Sequence, residues 1–169
     1  MNYFKLYKIP ISLTPNQQEV KKRFYELSRQ YHPDFFSQES EDDQADALEK
    51  SSLVNRAYKT FQNLDATIKY VLQSKNLLEE EEKYQLPPEF LMEVIELNEQ
   101  LMDAKMVQET SALLNIKTQI HSLQSEIYKP VKSIIEDYKE GITTTEALLQ
   151  VKEYYFKRKY LNRILEGMA

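Results

Sequence analysis

The chain of 169 residues contains no cysteine, two glycines and two histidines. Without cysteine there is no disulfide, no thiolate nucleophile and no sulfur-held zinc or iron. Two glycines are too few for the turns that strands and hairpins need, so a helical chain is expected. His32 and His121 fall on separate units, and no glycine-rich phosphate loop or zinc-spaced cluster accompanies them. An enzyme is therefore not expected, nor a metal site or a cofactor. His121 lies beside an apolar helical stripe, where a structural role is expected. No apolar run approaches membrane-spanning length. The first residues, "MNYFKLYKIP", carry neither a signal-peptide core nor an Arg/Ser-rich transit pattern. A cytoplasmic location follows as the default, with no membrane partner. The net charge of −5 argues against a nucleic-acid partner.

What is present suits a folded chain, at 41% hydrophobic and 29% charged residues. "YFKLYKI" reads as a short apolar turn ended by Pro10. A helix follows, with Thr14 as expected N-cap and Pro15 at its first position. Val20, Phe24, Leu27 and Tyr31 recur at steps of four, three and four and make its buried stripe. "HPDFFSQESEDD" is expected to be a loop. Residues 43–64 read as the next helix, with Val54, Ala57, Tyr58, Phe61 and Leu64 on one side, and residues 65–74 as a short one. "KNLLEEEEKYQLPP" is acidic and ends in two prolines, so 75–87 reads as a linker and 79–82 as a solvated charge run.

"PEFLMEVIELNEQLMDA" opens a second helical unit. A long helix is expected over about 107–138, carried by Leu113, Ile116, Ile120, Leu123, Ile127, Val131, Ile134 and Tyr138. Pro130 should bend it or cost it a hydrogen bond. Gly141 is a candidate C-cap, and Thr143 with Glu146 a capping box for a last helix reaching about residue 165. Short connections between three such helices imply a bundle. The expected organisation is all-α: residues 1–74, then the linker 75–87, then a three-helix bundle over 88–169.

"QYHPDFF" interrupts the first long helix. His32 precedes a proline and is pushed toward extended geometry, while Pro33 cannot donate the next backbone bond. Asp34 then offers a carboxylate to an arginine on another protein. Taken alone, the tripeptide is an ordinary helix stop. At about 100 degrees per residue, however, Lys21, Lys22, Tyr25 and Arg29 share a basic face opposite the stripe, leading to His32. In an acidic chain that face could steer an acidic partner. With "YFKLYKI", "VKKRFYELSRQYHPD" and "LVNRAYKTFQN" in this order, the chain resembles a J domain, a helical hairpin with short flanking helices. The resemblance implies a DnaK-class chaperone ATPase as partner, His32, Pro33 and Asp34 as the activating loop, and Lys21, Lys22, Tyr25 and Arg29 as the docking face. Phe35 departs from the lysine that often follows the motif.

The second unit has helices apolar on two faces. In the first, Phe90, Val94, Leu97 and Leu101 form the core stripe, and Leu91, Ile95 and Met102 a second one. In the last, Val151, Tyr154, Tyr155, Leu161 and Leu165 oppose Leu149, Phe156 and Tyr160. Periodicity alone leaves two readings level: burial against the first unit or a dimer mate, and an exposed client-binding patch. "PPEFLMEVIELNEQLMDA" and "VKEYYFKRKYLNRIL" following a J domain look like the HscB family of iron–sulfur cluster co-chaperones. That resemblance implies two partners, an HscA-like ATPase and an IscU-type scaffold protein. It would make Leu91, Met92, Ile95, Glu96, Glu99 and Phe156 the scaffold contacts, with Glu96 nearer the polar side. The protein would act as a monomer, with weak self-association left open.

Overall fold

A computed structural model describes residues 2–168, and every regular element among them is helical. The contacts divide the chain into two units. One holds the residues up to Ser74 together with Tyr138–Ile142; the other holds Lys75–Asp137 and the chain from Thr143 onward.

The first unit contains α1 (Tyr3–Tyr7), α2 (Gln17–Gln30), α3 (Glu41–Phe61) and α4 (Leu64–Ser74). α2 starts later than expected. Asn16, not Thr14, is the N-cap, because its side chain accepts from the backbone N–H of Gln18 and Glu19 at 3.0 and 3.1 Å. Pro15 thus precedes the helix instead of opening it. α2 and α3 pair as a hairpin, with Val20 and Leu27 buried on one helix, Val54 and Ala57 on the other, and Phe24 stacked on Tyr58 at 4.1 Å. Leu64 begins α4 instead of ending α3, since the Asn63 side chain accepts from the Ala66 N–H at 2.9 Å and restarts the helix.

α1 closes the open end of this hairpin with aromatic rings. Tyr3 stacks on Tyr70 at 4.3 Å, and Phe4 and Tyr7 meet Phe61 at 5.0 and 5.1 Å. Tyr7 is fully buried, and its hydroxyl donates to the Val54 carbonyl at 2.7 Å. Burial pushes the Tyr7 pKa well up, because the phenolate would lose its water. Each fully buried side chain of this size contributes about 1.5–3 kcal/mol.

The second unit contains α5 (Pro88–Met106), α6 (Thr110–Tyr128), α7 (Lys132–Glu136) and α8 (Thr145–Met168). Pro88 occupies the first turn of α5, where its missing N–H costs nothing. Phe90, Val94, Leu97 and Leu101 of α5 pack with Ile116, Ile120 and Leu123 of α6 and with Leu161 and Ile164 of α8. The expected long helix is divided. Val107 caps α5, and Gln108 takes a left-handed φ of 52°, so α6 opens only at Thr110. At the other end Pro130 sits in a single 3-10 turn, Lys129–Val131, between α6 and α7. α7 ends at Glu136, so Tyr138 lies beyond the helix and groups with the first unit.

Two capping expectations shift by a few residues. Gly141 has a φ of +79° but lies in a turn after the helix has already ended, not at its cap. Thr144, not Thr143, caps α8, with its Oγ1 accepting from the Ala147 N–H at 3.2 Å. α8 runs on to Met168. In the acidic run, residues 79–81 are exposed, whereas Glu82 is half-buried and pairs with Lys152 at 2.7 Å. That pairing holds the Glu82 carboxyl below its usual range: the Lys152 hydrogen bond acts most strongly and the Glu79 backbone N–H adds to it.

Candidate functional site

In the first unit, α2 delivers the chain into the motif. His32 has φ −63° and ψ 130°, the extended geometry that the following proline imposes. Residues Pro33–Phe36 are not a plain loop but one turn of 3-10 helix, capped by His32 itself. The Asp34 backbone N–H donates to His32 Nδ1 at 3.2 Å. That bond needs an unprotonated Nδ1, so the neutral ring carries its proton on Nε2. The Asp34 carboxylate is 3.6 Å from the same nitrogen and 86% exposed. The Phe35 N–H donates to the His32 carbonyl at 3.0 Å, and the Phe35 ring meets His32 edge-on at 6.2 Å. From α3, the Gln44 side chain donates to the Ser37 and Glu39 carbonyls and fixes the far end of the turn.

Lys21, Lys22, Tyr25 and Arg29 are all exposed on α2, and the three cations have no carboxylate partner among the described residues. Arg23, on the same helix, is instead paired with Glu26 at 2.9 Å. The first unit thus presents cations, an open aspartate and a 67% exposed Phe35 along one helix and the turn after it.

In the second unit, Leu91 and Phe156 line one cavity of about 740 Å³. Met92 and Ile95 are 64% and 52% exposed on α5, and Glu99 is exposed on the same helix. Glu96 does not line that cavity; it lines a separate groove between α5 and α6, with Glu93 and Glu126. Of the other second-stripe residues, Tyr160 packs on the bundle core and meets Phe90 edge-on at 6.5 Å, because α8 turns that side toward α5. Met102 and Leu149 are exposed.

Phe156 is not bare. Tyr84, from the segment before α5, stacks flat on it at 4.6 Å. Burial raises the Tyr84 pKa, with the Glu153 and Glu82 charges adding to the effect. Lys152 holds this segment through Glu82 and also lies 5.7 Å from the Tyr84 ring. His121 is exposed on α6, 3.2 Å from Gln124, and Gln124 donates to Asn162 of α8 at 3.0 Å. It is a surface residue at the edge of a helix-to-helix link and not part of the core stripe. No group of three or more His, Asp or Glu side chains is placed to hold a metal ion among the described residues.

Comparison with known proteins agrees with this division. A DnaJ domain matches residues 2–70, and an HSCB C-terminal oligomerisation domain matches residues 86–169. A co-chaperone protein HscB homolog of Vibrio atlanticus is 31% identical over 97% of this chain and 95% of its own length. The chain belongs to the HscB co-chaperone family. The mouse iron-sulfur cluster co-chaperone protein HscB is 30% identical over 98% of this chain and 66% of its own. The crystal structure of human HscB superposes with a TM-score of 0.81 at 28% identity, covering 99% of this chain and 80% of that one. HscB of Vibrio cholerae gives 0.75 at 24% identity, with 99% and 95% covered, a likeness of fold.

Within this HscB family chain, the first unit is therefore a J domain followed by the helical C-terminal domain. Lys159, Arg163 and Tyr84 were not singled out by sequence reasoning, yet they line the Leu91–Phe156 cavity. For α8 the signal was available, since Phe156, Lys159, Tyr160 and Arg163 are spaced i, i+3, i+4 and i+7 and share one face. Tyr84 carried no such periodic signature.

Proposed function

We propose that this protein is a cytoplasmic two-ended adaptor in iron–sulfur cluster assembly. Its J domain engages a DnaK-class, HscA-like chaperone through Lys21, Lys22, Tyr25 and Arg29, and stimulates ATP hydrolysis through His32, Pro33 and Asp34. Its C-terminal domain holds an IscU-type scaffold through Leu91, Met92, Ile95, Glu99 and Phe156, with Glu96 at the margin. Each contact can be weak, because joining them raises the local concentration of scaffold at the ATPase. Hydrolysis then switches the chaperone to its tight client-holding state. The protein performs no bond chemistry itself.

The observation that carries this reading is the motif's geometry. A self-capped single turn, fixed to α3 by Gln44, presents an open Asp34 at the end of a helix whose Lys21, Lys22 and Arg29 have no carboxylate partner among the described residues. A carboxylate so placed is available for a charge-assisted bond to an arginine on a partner. The exposed Met92 and Ile95 beside the Leu91–Phe156 cavity support the scaffold end, since methionine and aromatic anchors are typical of partner surfaces. Calorimetric titration of the IscU-type scaffold tests that end. Phe156→Ala is expected to weaken binding by at least about 1 kcal/mol. No binding by either form would withdraw the scaffold reading.

The match of residues 86–169 to an HSCB C-terminal oligomerisation domain favours a second reading, self-association through this domain. Sedimentation across concentrations separates the two. A dimer that buries Leu91 and Phe156 would take the place of the scaffold contact.

A further inference from the structure

The cavity that Leu91 and Phe156 share is not simply apolar. Its floor is aromatic and aliphatic, from Phe156, Tyr160, Tyr84 and Leu91, but its rim carries Lys83, Lys159 and Arg163. None of these three cations has a carboxylate partner among the described residues. The one carboxylate in the lining, Glu82, is taken up by Lys152 at 2.7 Å. Lys159 and Arg163 are one helical turn apart on the face that also carries Phe156, and Lys159 lies 6.0 Å from the Phe156 ring. The α5 glutamates do not line this cavity; Glu93 and Glu96 face the separate groove toward α6. A site that is apolar below and basic at its rim discriminates by charge as well as by shape.

We propose that the cavity between the 82–86 segment, α5 and α8 seats a peptide segment of the scaffold in which an apolar anchor stands beside a carboxylate. The anchor lies against Phe156 and Leu91, and the carboxylate meets Arg163 and Lys159. The volume of about 740 Å³ suits a few side chains and not a whole element. Arg163 can take the carboxylate with two parallel N–H bonds, whereas Lys159 acts as a point charge. This assignment rests on the scaffold reading of the Phe156 face and adds to it the chemistry of what is recognised there.

The test titrates the IscU-type scaffold into the full chain and into Lys159→Glu/Arg163→Glu, at two salt concentrations. Phe156→Ala and Lys117→Glu, a charge change on the exposed side of α6, serve as references, and circular dichroism confirms each fold. The double reversal is expected to weaken binding at least tenfold and to flatten its salt dependence, while Lys117→Glu changes it by less than twofold. If Phe156→Ala weakens binding and the double reversal does not, the scaffold reading stands and the carboxylate assignment is overturned. Equal weakening by Lys117→Glu also overturns it, since the effect would then be one of net charge. If Phe156→Ala has no effect either, both fall.

Discussion

Tyr7→Phe removes one oxygen from the sealed centre of the J domain, and with it one buried hydrogen bond. The hydroxyl donates to the Val54 carbonyl at 2.7 Å from a site with no exposure. A neutral buried hydrogen bond contributes about 1 kcal/mol net, and an abandoned buried partner costs about 1–3 kcal/mol. Val54 lies inside α3, so its carbonyl keeps its place in the helical ladder, and the cost should fall near the lower end, about 1–1.5 kcal/mol. The pKa shift adds a second signature. Burial raises the folded-state pKa above the unfolded tyrosine value of about 10. Below that value both states keep the proton and the gap between wild type and variant is constant. Above it the unfolded state loses the proton while the folded state retains it, so this group costs the wild type about 1.4 kcal/mol per pH unit. Phenylalanine has no such term, and the two stabilities should meet near pH ~11. Urea titrations followed by the methyl signals of Val54 and Ile68 report this domain's own transition. A gap that persists unchanged between about pH 8 and 11, or a loss above about 3 kcal/mol at neutral pH, would mean that the hydroxyl is not a sealed donor to Val54.

In the C-terminal bundle, Ile120→Ala empties a fully buried position between α5, α6 and α8 and is expected to cost about 2–5 kcal/mol, read from the chemical denaturation midpoint. A loss below about 1 kcal/mol would mean the site is not packed as described. Glu82→Gln removes the half-buried partner of Lys152 and should cost about 1 kcal/mol at neutral pH. Because the folded-state pKa of Glu82 is depressed, the pair's contribution is present above the ordinary glutamate range and is lost as pH falls through the folded value. The variant and wild type should therefore converge in acid, and a difference that survives there would point to packing instead of charge.

The helical periodicities of the sequence carry most of the fold. The stripes of α2, α3 and α5 mark buried sides, because a 3.6-residue repeat is a local property that each helix shows by itself. Helix ends depend on finer competition. Thr14 is a good cap in isolation, but Asn16 reaches two N–H groups and wins. The apolar stripe runs on past Glu136, yet Pro130 and the early stop of α7 break the helix that periodicity joins. The motif could be read as a helix stop, whereas its 3-10 turn rests on His32 capping Asp34, a contact made by geometry and not by spacing. The stack of Tyr84 on Phe156 links distant parts of the chain, and pairing across that separation leaves no repeat to read.

Under the proposed function, the J domain's turn acts on the ATPase independently of the C-terminal end proposed to hold the scaffold. The direct measurement is the steady-state ATPase rate of the cognate DnaK-class chaperone with scaffold present, comparing wild type and Asp34→Asn. The side chain is exposed, so the fold and the scaffold affinity should be unchanged. Wild type is expected to accelerate hydrolysis and Asp34→Asn is not, although the variant still carries scaffold. Equal acceleration by the two proteins would mean that Asp34 does not carry the stimulation.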